Sequence, residues 1–363
     1  MFNREEIGGG ASDLNKKTII CERLQRQRLT KPLEDRQDIK AYKQLFQKLQ
    51  PVAPVFNSRP GEPPQLVHRI AFNDAFLSES IRKKHQLVKG RFQGGRIGYV
   101  LEDDLSLYST IFRKPIPKMT GLQKEILSMI QQSGGISKNQ LKEELPFKAR
   151  EITAALKRLQ EAFLVYELQI DTDWNTGWFD FKTEWPEIEW ELDSTSAAAQ
   201  MLLRFFDVMV FATLDQIKGW TQLKLKTIQG ALTVLMEREA IVKLEVDGLG
   251  EGFVQKKDLD LTDNEMPQSV FMLDKSDYLV RADLDELKDR FKGSEVLQYL
   301  LIDGEWKGAV LGHWRIGPHD VEDVVLCLEE KEAEKRKDEI ISAVRAGYPE
   351  ETTRIVCFNG DQL

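Results

Sequence analysis

Shifted by 76 residues, positions 137–170 align without a gap on positions 213–246. Gln140/Gln216, Lys142/Lys218, Ile152/Ile228, Ala155/Ala231, Leu156/Leu232, Leu159/Leu235, Glu161/Glu237 and Leu168/Leu244 are identical pairs, and Leu141 is matched by Ile217. Amphipathic helices match one another at several positions by chance. Here the matches also keep a hydroxyl helix cap (Ser137, Thr213), a short helix, a longer helix and a strand in one order. A chain that repeats such a segment folds it at least twice. The period therefore constrains the architecture more than any single motif does.

Read outward from the repeat, residues 116–193 spell helix, helix, helix and hairpin. Thr120 caps a helix to Ile130 that Ser133-Gly134-Gly135 stops, and Ser137 caps a short helix to Leu145. A third helix from Lys148 places Ile152, Ala155, Leu156, Leu159 and Phe163 on one face. Residues 164–170 and 178–181 read as strands around a turn at 175–177. An acidic, Trp-rich joint at 184–193 leads into the second copy, whose hairpin turns at Asp247-Gly248.

Residues 86–100, QLVKGRFQGGRIGYV, give the same signature once more, upstream. They follow a helix over 72–85 that ends in Arg82, Lys83, Lys84 and His85, and Gly94-Gly95 marks a tight turn. Helices at 13–29 and 35–49 precede them, the second with Tyr42, Leu45, Phe46 and Leu49 as a core stripe, ended by Pro51 and Pro54. A flexible lead-in is expected at 1–12 and an irregular loop at 57–64. The final region reads as strands at 270–273, 297–302, 305–311, 321–328 and 353–358, with a hairpin at Asp303-Gly304 and a charged helix at 329–346. The expected fold is α+β: winged helices at 1–115, 116–193 and 194–265, then a C-terminal β-rich, barrel-like domain at 266–363, for which a small barrel or an α+β cap fits the pattern.

The 363 residues carry a net charge of −8, which argues against nucleic acid until its distribution is read. Residues 1–115 hold 21 Lys and Arg against 13 Asp and Glu, while 116–265 hold 17 against 25 and 266–363 hold 13 against 21. A local patch sets phosphate binding, so the basic first third is the expected DNA face. Lys84, Lys89, Arg91 and Arg96 surround its hairpin, and Lys148 and Arg150 stand on a helix face opposite the second unit's core stripe. No apolar run reaches membrane-span length and the N-terminus lacks a signal peptide's hydrophobic region. Cys21, Cys327 and Cys357 have neither metal nor disulfide spacing, which fits the cytoplasm. No metal site is expected at His313 and His319, no cofactor motif appears, and a monomer is favoured.

Three tandem winged helices with a C-terminal β domain resemble the AlkZ/YcaQ family of bacterial DNA glycosylases, which excise alkylated purines and unhook interstrand crosslinks. The family's first module carries a Gly-Leu-Gln-Ala-Gln-like segment, an Arg closing an extended stretch, and a basic hairpin. Lys48-Leu49-Gln50-Pro51-Val52, Arg69 and residues 91–99 fall at those places, and residues 302–308 are similar to its late Asp-Gly hairpin. The resemblance implies duplex DNA as partner, Arg69 as a DNA contact, and Gln50 as one of two polar side chains holding the attacking water. The second of the pair is Val52 here, which cannot orient water; Gln47 and Glu62 are the nearby alternatives. A DNA glycosylase, a catalytically silent DNA-binding relative and a protein-interaction scaffold all remain open at this level.

Overall fold

The computed structural model describes residues 14–54, 62–168, 176–190, 193–262, 265–315 and 317–363. The lead-in, Asp13, most of the 57–64 loop, residues 169 and 170 of the repeat, Asn175 and two residues of the acidic joint lie outside them. The first unit contains α1 (Lys16–Arg26), α2 (Ile39–Leu49), α3 (Ala75–Lys83), the hairpin β1 (Leu87–Phe92) and β2 (Arg96–Leu101), and α4 (Leu105–Phe112). The second runs α5 (Gly121–Ser133), β3 (Ile136–Ser137), α6 (Lys138–Glu144), α7 (Ala149–Glu161), β4 (Val165–Leu168), β5 (Gly177–Asp180) and α8 (Phe181–Glu184). The third runs α9 (Ser194–Met209), β6 (Phe211–Ala212), α10 (Leu214–Thr221), α11 (Leu225–Glu237), β7 (Ile241–Val246) and β8 (Gly250–Gln255).

The repeat survives as structure. Helices α7 and α11 start and stop 76 residues apart, and the two small sheets share one strand order, β3-β5-β4 and β6-β8-β7. The identical glutamines explain part of this. Ser137 and Thr213 each accept a hydrogen bond from the backbone N–H three residues on, and Gln140 and Gln216 accept one back from the cap's own N–H. Both short helices thus open on the same reciprocal cap. Where the copies part, packing is the reason. Gly219 stands where the first copy has exposed Glu143, and a Cβ on it would lie 2.5 Å from the carbonyl oxygen of Ala282.

The first unit reaches the same pattern with different parts. Val52 exchanges both backbone hydrogen bonds with Tyr99 of β2, at 2.9 and 2.8 Å. It therefore sits against the second hairpin strand, as β3 and β6 do in their units. At the centre of the molecule, α9 is buried nearly all round, with Ala198, Met201, Leu202, Phe205 and Phe206 packed among α1, α2, α4 and α11. Its charged residues Arg204 and Asp207 are held in ion pairs with Asp104 and Lys257.

The C-terminal region comprises β9 (Val270–Asp274), α12 (Tyr278–Arg290), β10 (Val296–Ile302), β11 (Glu305–Leu311), β12 (Val321–Leu326), α13 (Glu330–Lys335), α14 (Lys337–Arg345), β13 (Ile355–Phe358) and β14 (Asp361–Gln362). Its sheet has the order β14-β13-β12-β11-β10-β9. Strands β9 and β14 are edges, so the barrel-like closure expected from the sequence gives way to an open sheet. The parallel pair β12–β13 is joined through α13 and α14, the crossover that parallel strands require. Strand β10 is buried along its whole length because both sheet faces are covered. The single helix expected over 329–346 breaks at Arg336, which pairs with Asp303 and Glu339. Helices α4 and α12 occupy stretches where the sequence had suggested no element.

One apolar core runs through the first unit, α9 and the Tyr299 face of the C-terminal sheet. The second unit keeps its own, around Ile126, Leu141, Ile152, Leu156 and Trp178.

Candidate active site

The β1–β2 hairpin is a strut between units. Lys89 forms an ion pair of 2.6 Å with Glu167, both side chains being largely buried. Arg91 donates through Nε to Gln160 Oε1 at 2.7 Å and through Nη1 to the Gly95 carbonyl. At the tip, Gln93 turns inward, buried, and accepts a hydrogen bond from Arg281 of α12. Lys89 and Arg91, expected on the DNA face, thus have their charges committed inside the chain. Arg69 does too: it is 3% exposed, grips both oxygens of Asp277 at 2.6 and 3.1 Å, and donates to Gln27 Oε1. Lys84, Arg96, Lys148 and Arg150 are exposed.

Gln50 is held as tightly. It closes the end of α2 before a cis bond to Pro51, and its side chain is 1% exposed. Its Oε1 accepts from the Leu101 N–H at 2.8 Å and its Nε2 donates to Asp104 Oδ2 at 2.6 Å, while its carbonyl accepts from the Tyr108 hydroxyl. Gln47 also donates to Asp104, at 2.7 Å, and Arg204 pairs with it at 2.8 Å. Both ends of the Gln50 amide are therefore engaged in fixing α2 to β2 and to the start of α4. Each end of the amide thus makes one bond within the protein, in a position closed to solvent. Glu62 is half-buried.

Beside this network lies a cavity of about 290 Å³ where the first unit, the third unit and the C-terminal region meet. Pro51, Val52 and His68 form one wall, Trp220 another, and Asp274, Asp277, Arg281 and Tyr348 the third. The size is at the lower end of small-molecule sites, roughly 300–1,000 Å³. Asp277 caps α12, accepting from Leu279 N–H at 2.9 Å, and is neutralised by Arg69. Asp274 ends β9 and accepts from both the N–H and the hydroxyl of Ser276. Burial raises its carboxyl above the ordinary range, against the pull of those bonds.

His68 Nε2 donates to the Met272 carbonyl at 2.9 Å, which fixes the proton on that nitrogen, and burial lowers its pKa so that the ring is neutral. Burial, followed by the nearby charge of Arg96, brings Arg281 down to about 10. Arg281 Nε has no hydrogen-bond partner among the described residues.

Neither Asp274, Asp277, His68 nor Arg281 was singled out by sequence. The Asp-Lys-Ser-Asp run, whose Asp277 caps α12 in the structure, is the local signal that could have marked the two carboxylates. His313 pairs with Glu295 and His319 with the Gly317 carbonyl, and no three potential metal donors converge among the described residues. No described helix is long and apolar enough to cross a membrane.

No protein-family model matches the chain, and no curated protein matches it in sequence. Among solved structures it is similar to the DNA glycosylase AlkZ of Streptomyces sahachiroi, with a TM-score of 0.65 and 15% identity, over 94% of this chain and 100% of that one. The chain therefore has an AlkZ-like fold, that of a DNA glycosylase, along nearly its whole length.

Proposed function

We propose that the protein binds duplex DNA and hydrolyses the N-glycosidic bond of alkylated purines, as a monofunctional DNA glycosylase. In this reading residues 1–115, 116–193 and 194–265 are winged helices and 266–363 an α+β domain that closes the site. One observation carries it: on a glycosylase fold, the units meet at a cavity with an aromatic wall and a buried carboxylate. An alkylated purine leaves as a neutral base, so the site needs an aromatic surface, a held water and a negative group near the anomeric carbon. A base reaches such a cavity only when turned out of the helix.

The test is release of 7-methylguanine or 3-methyladenine from methylated duplex. Wild type is expected to release them slowly. Val52 lines the cavity with an apolar side chain, so Val52→Gln should raise the rate by roughly 10- to 100-fold, about 1.4–2.7 kcal/mol of barrier. The enclosed Gln50 amide and Val52 favour a second reading, a DNA-binding relative without activity. No release from either variant would establish that reading.

DNA binding is tested separately. Lys84, Arg96, Lys148 and Arg150 are the exposed cations of the set, and each Ala substitution should lower the salt slope of duplex affinity by about 1. Lys89→Ala and Arg91→Ala should leave the slope unchanged and reduce stability instead, since their partners are internal. Duplex affinity independent of salt would point to a protein partner.

A further inference from the structure

We infer that Asp274 is the group that activates water at this cavity, in place of the polar pair that the resemblance implied at Gln50 and position 52. The inference rests on the glycosylase reading of the cavity and adds the residue that performs the chemistry.

Geometry favours it over the other polar groups already bound within the chain. The Gln50 amide is enclosed by Leu101 and Asp104. Asp277 is clamped by Arg69 through both oxygens. Among the described residues, no cation lies within ion-pair distance of Asp274. Its position is set by the backbone ladder, where it is paired with Gln298 of β10, and its rotamer by the two bonds from Ser276. A group positioned in this way loses little order on meeting a substrate. A buried cation stands in the same cavity: Arg281 is 3% exposed, lines the cavity, and is held by its bond to Gln93 at the hairpin tip.

The step balances as follows. The bond between C1′ and the purine nitrogen breaks, its electron pair staying with the cationic alkylpurine, which departs neutral. Water forms the new C1′–O bond and passes its proton to the Asp274 carboxylate. The carboxylate then releases the proton to solvent, leaving an abasic sugar. Before attack, the same negative charge faces the oxocarbenium-like sugar, where a low-dielectric setting strengthens it.

The experiment compares wild type, Asp274→Asn and His68→Asn in single-turnover release of 7-methylguanine from duplex. It also measures their affinity for unmodified duplex and for duplex bearing a cationic pyrrolidine in place of one sugar. Asp274→Asn keeps the oxygen that accepts from Ser276, so it should fold and bind unmodified duplex as wild type does. Release should fall at least 100-fold, and the preference for the pyrrolidine duplex should disappear. Burial raises the Asp274 carboxyl, and water activation needs its ionised form. Wild-type release should therefore rise with pH along a limb lying above the ordinary carboxylate range. Wild-type rate and preference retained in Asp274→Asn, loss confined to His68→Asn, or a wild-type profile without that limb would each overturn the assignment alone. A wild type that neither releases base nor prefers the pyrrolidine duplex overturns it together with the glycosylase reading.

Discussion

Arg69→Ala should lower the stability of the protein by about 3–5 kcal/mol while leaving the salt dependence of duplex binding by the folded protein unchanged. The guanidinium joins three segments distant in sequence. It pairs with Asp277 at the start of α12, donates to Gln27 just beyond α1, and closes its own loop through the Val67 carbonyl at 3.0 Å. Both charged side chains are nearly excluded from water, at 4% and 12% exposure. Removing one strands the other, and the loss is then the cost of an uncompensated buried charge rather than the net worth of the pair. Arg69→Ala combined with Asp277→Asn should cost less than the two single losses added, because the second change removes the group that the first left stranded. Urea unfolding of the three variants measures this. A loss below 1 kcal/mol, accompanied by a shallower salt slope, would return Arg69 to the DNA face.

The same case explains what charge counting can and cannot read. The first 115 residues are basic and the remainder acidic, and that partition is plain in the sequence. Part of it turns out to be intramolecular complementarity. Arg26 pairs with Asp258 at 2.7 Å, Arg69 with Asp277 and Lys89 with Glu167, each a cation of the first third held by a carboxylate of a later segment. Arg23 is buried against the carbonyls of Met209 and Phe211. A lysine on a Gly-tipped hairpin looks the same in sequence whether it meets a phosphate or a glutamate 78 residues on.

Local physics was legible. Caps at Ser137 and Thr213, the helix faces around Leu156 and Leu232, the turn at Gly94-Gly95 and the strand 305–311 follow from nearest neighbours, and the structure has them all. Helix α12 was missed because Tyr278 through Leu284 are all buried, which removes the alternation that marks an amphipathic helix. The cavity was missed for a different reason. His68, Trp220, Asp274 and Arg281 come from three parts of the chain, and only the packing of α10 on α12, made close by Gly219, brings them together.

Gln50→Ala is expected to act mainly on folding. The substitution strands the Leu101 N–H, removes a hydrogen bond to the Asp104 carboxylate, and leaves a void where a fully buried side chain stood. The unpaired amide costs roughly 1–3 kcal/mol and the lost charged hydrogen bond about 1.5–3. With the void, the total should reach about 3–5 kcal/mol, unless Gln47 and Arg204, which already hold Asp104, close over the gap. Gln50→Glu should be worse, since it sets a second carboxylate against Asp104 in a buried site. At a temperature where Gln50→Ala is still folded, its base release should remain within about tenfold of wild type, whereas Asp274→Asn, fully folded, should have lost it. Thermal unfolding and single-turnover release on the same preparations separate the two effects. Unchanged stability together with abolished release in Gln50→Ala would give Gln50 back the water and make its enclosure by Leu101 and Asp104 a resting state that DNA opens.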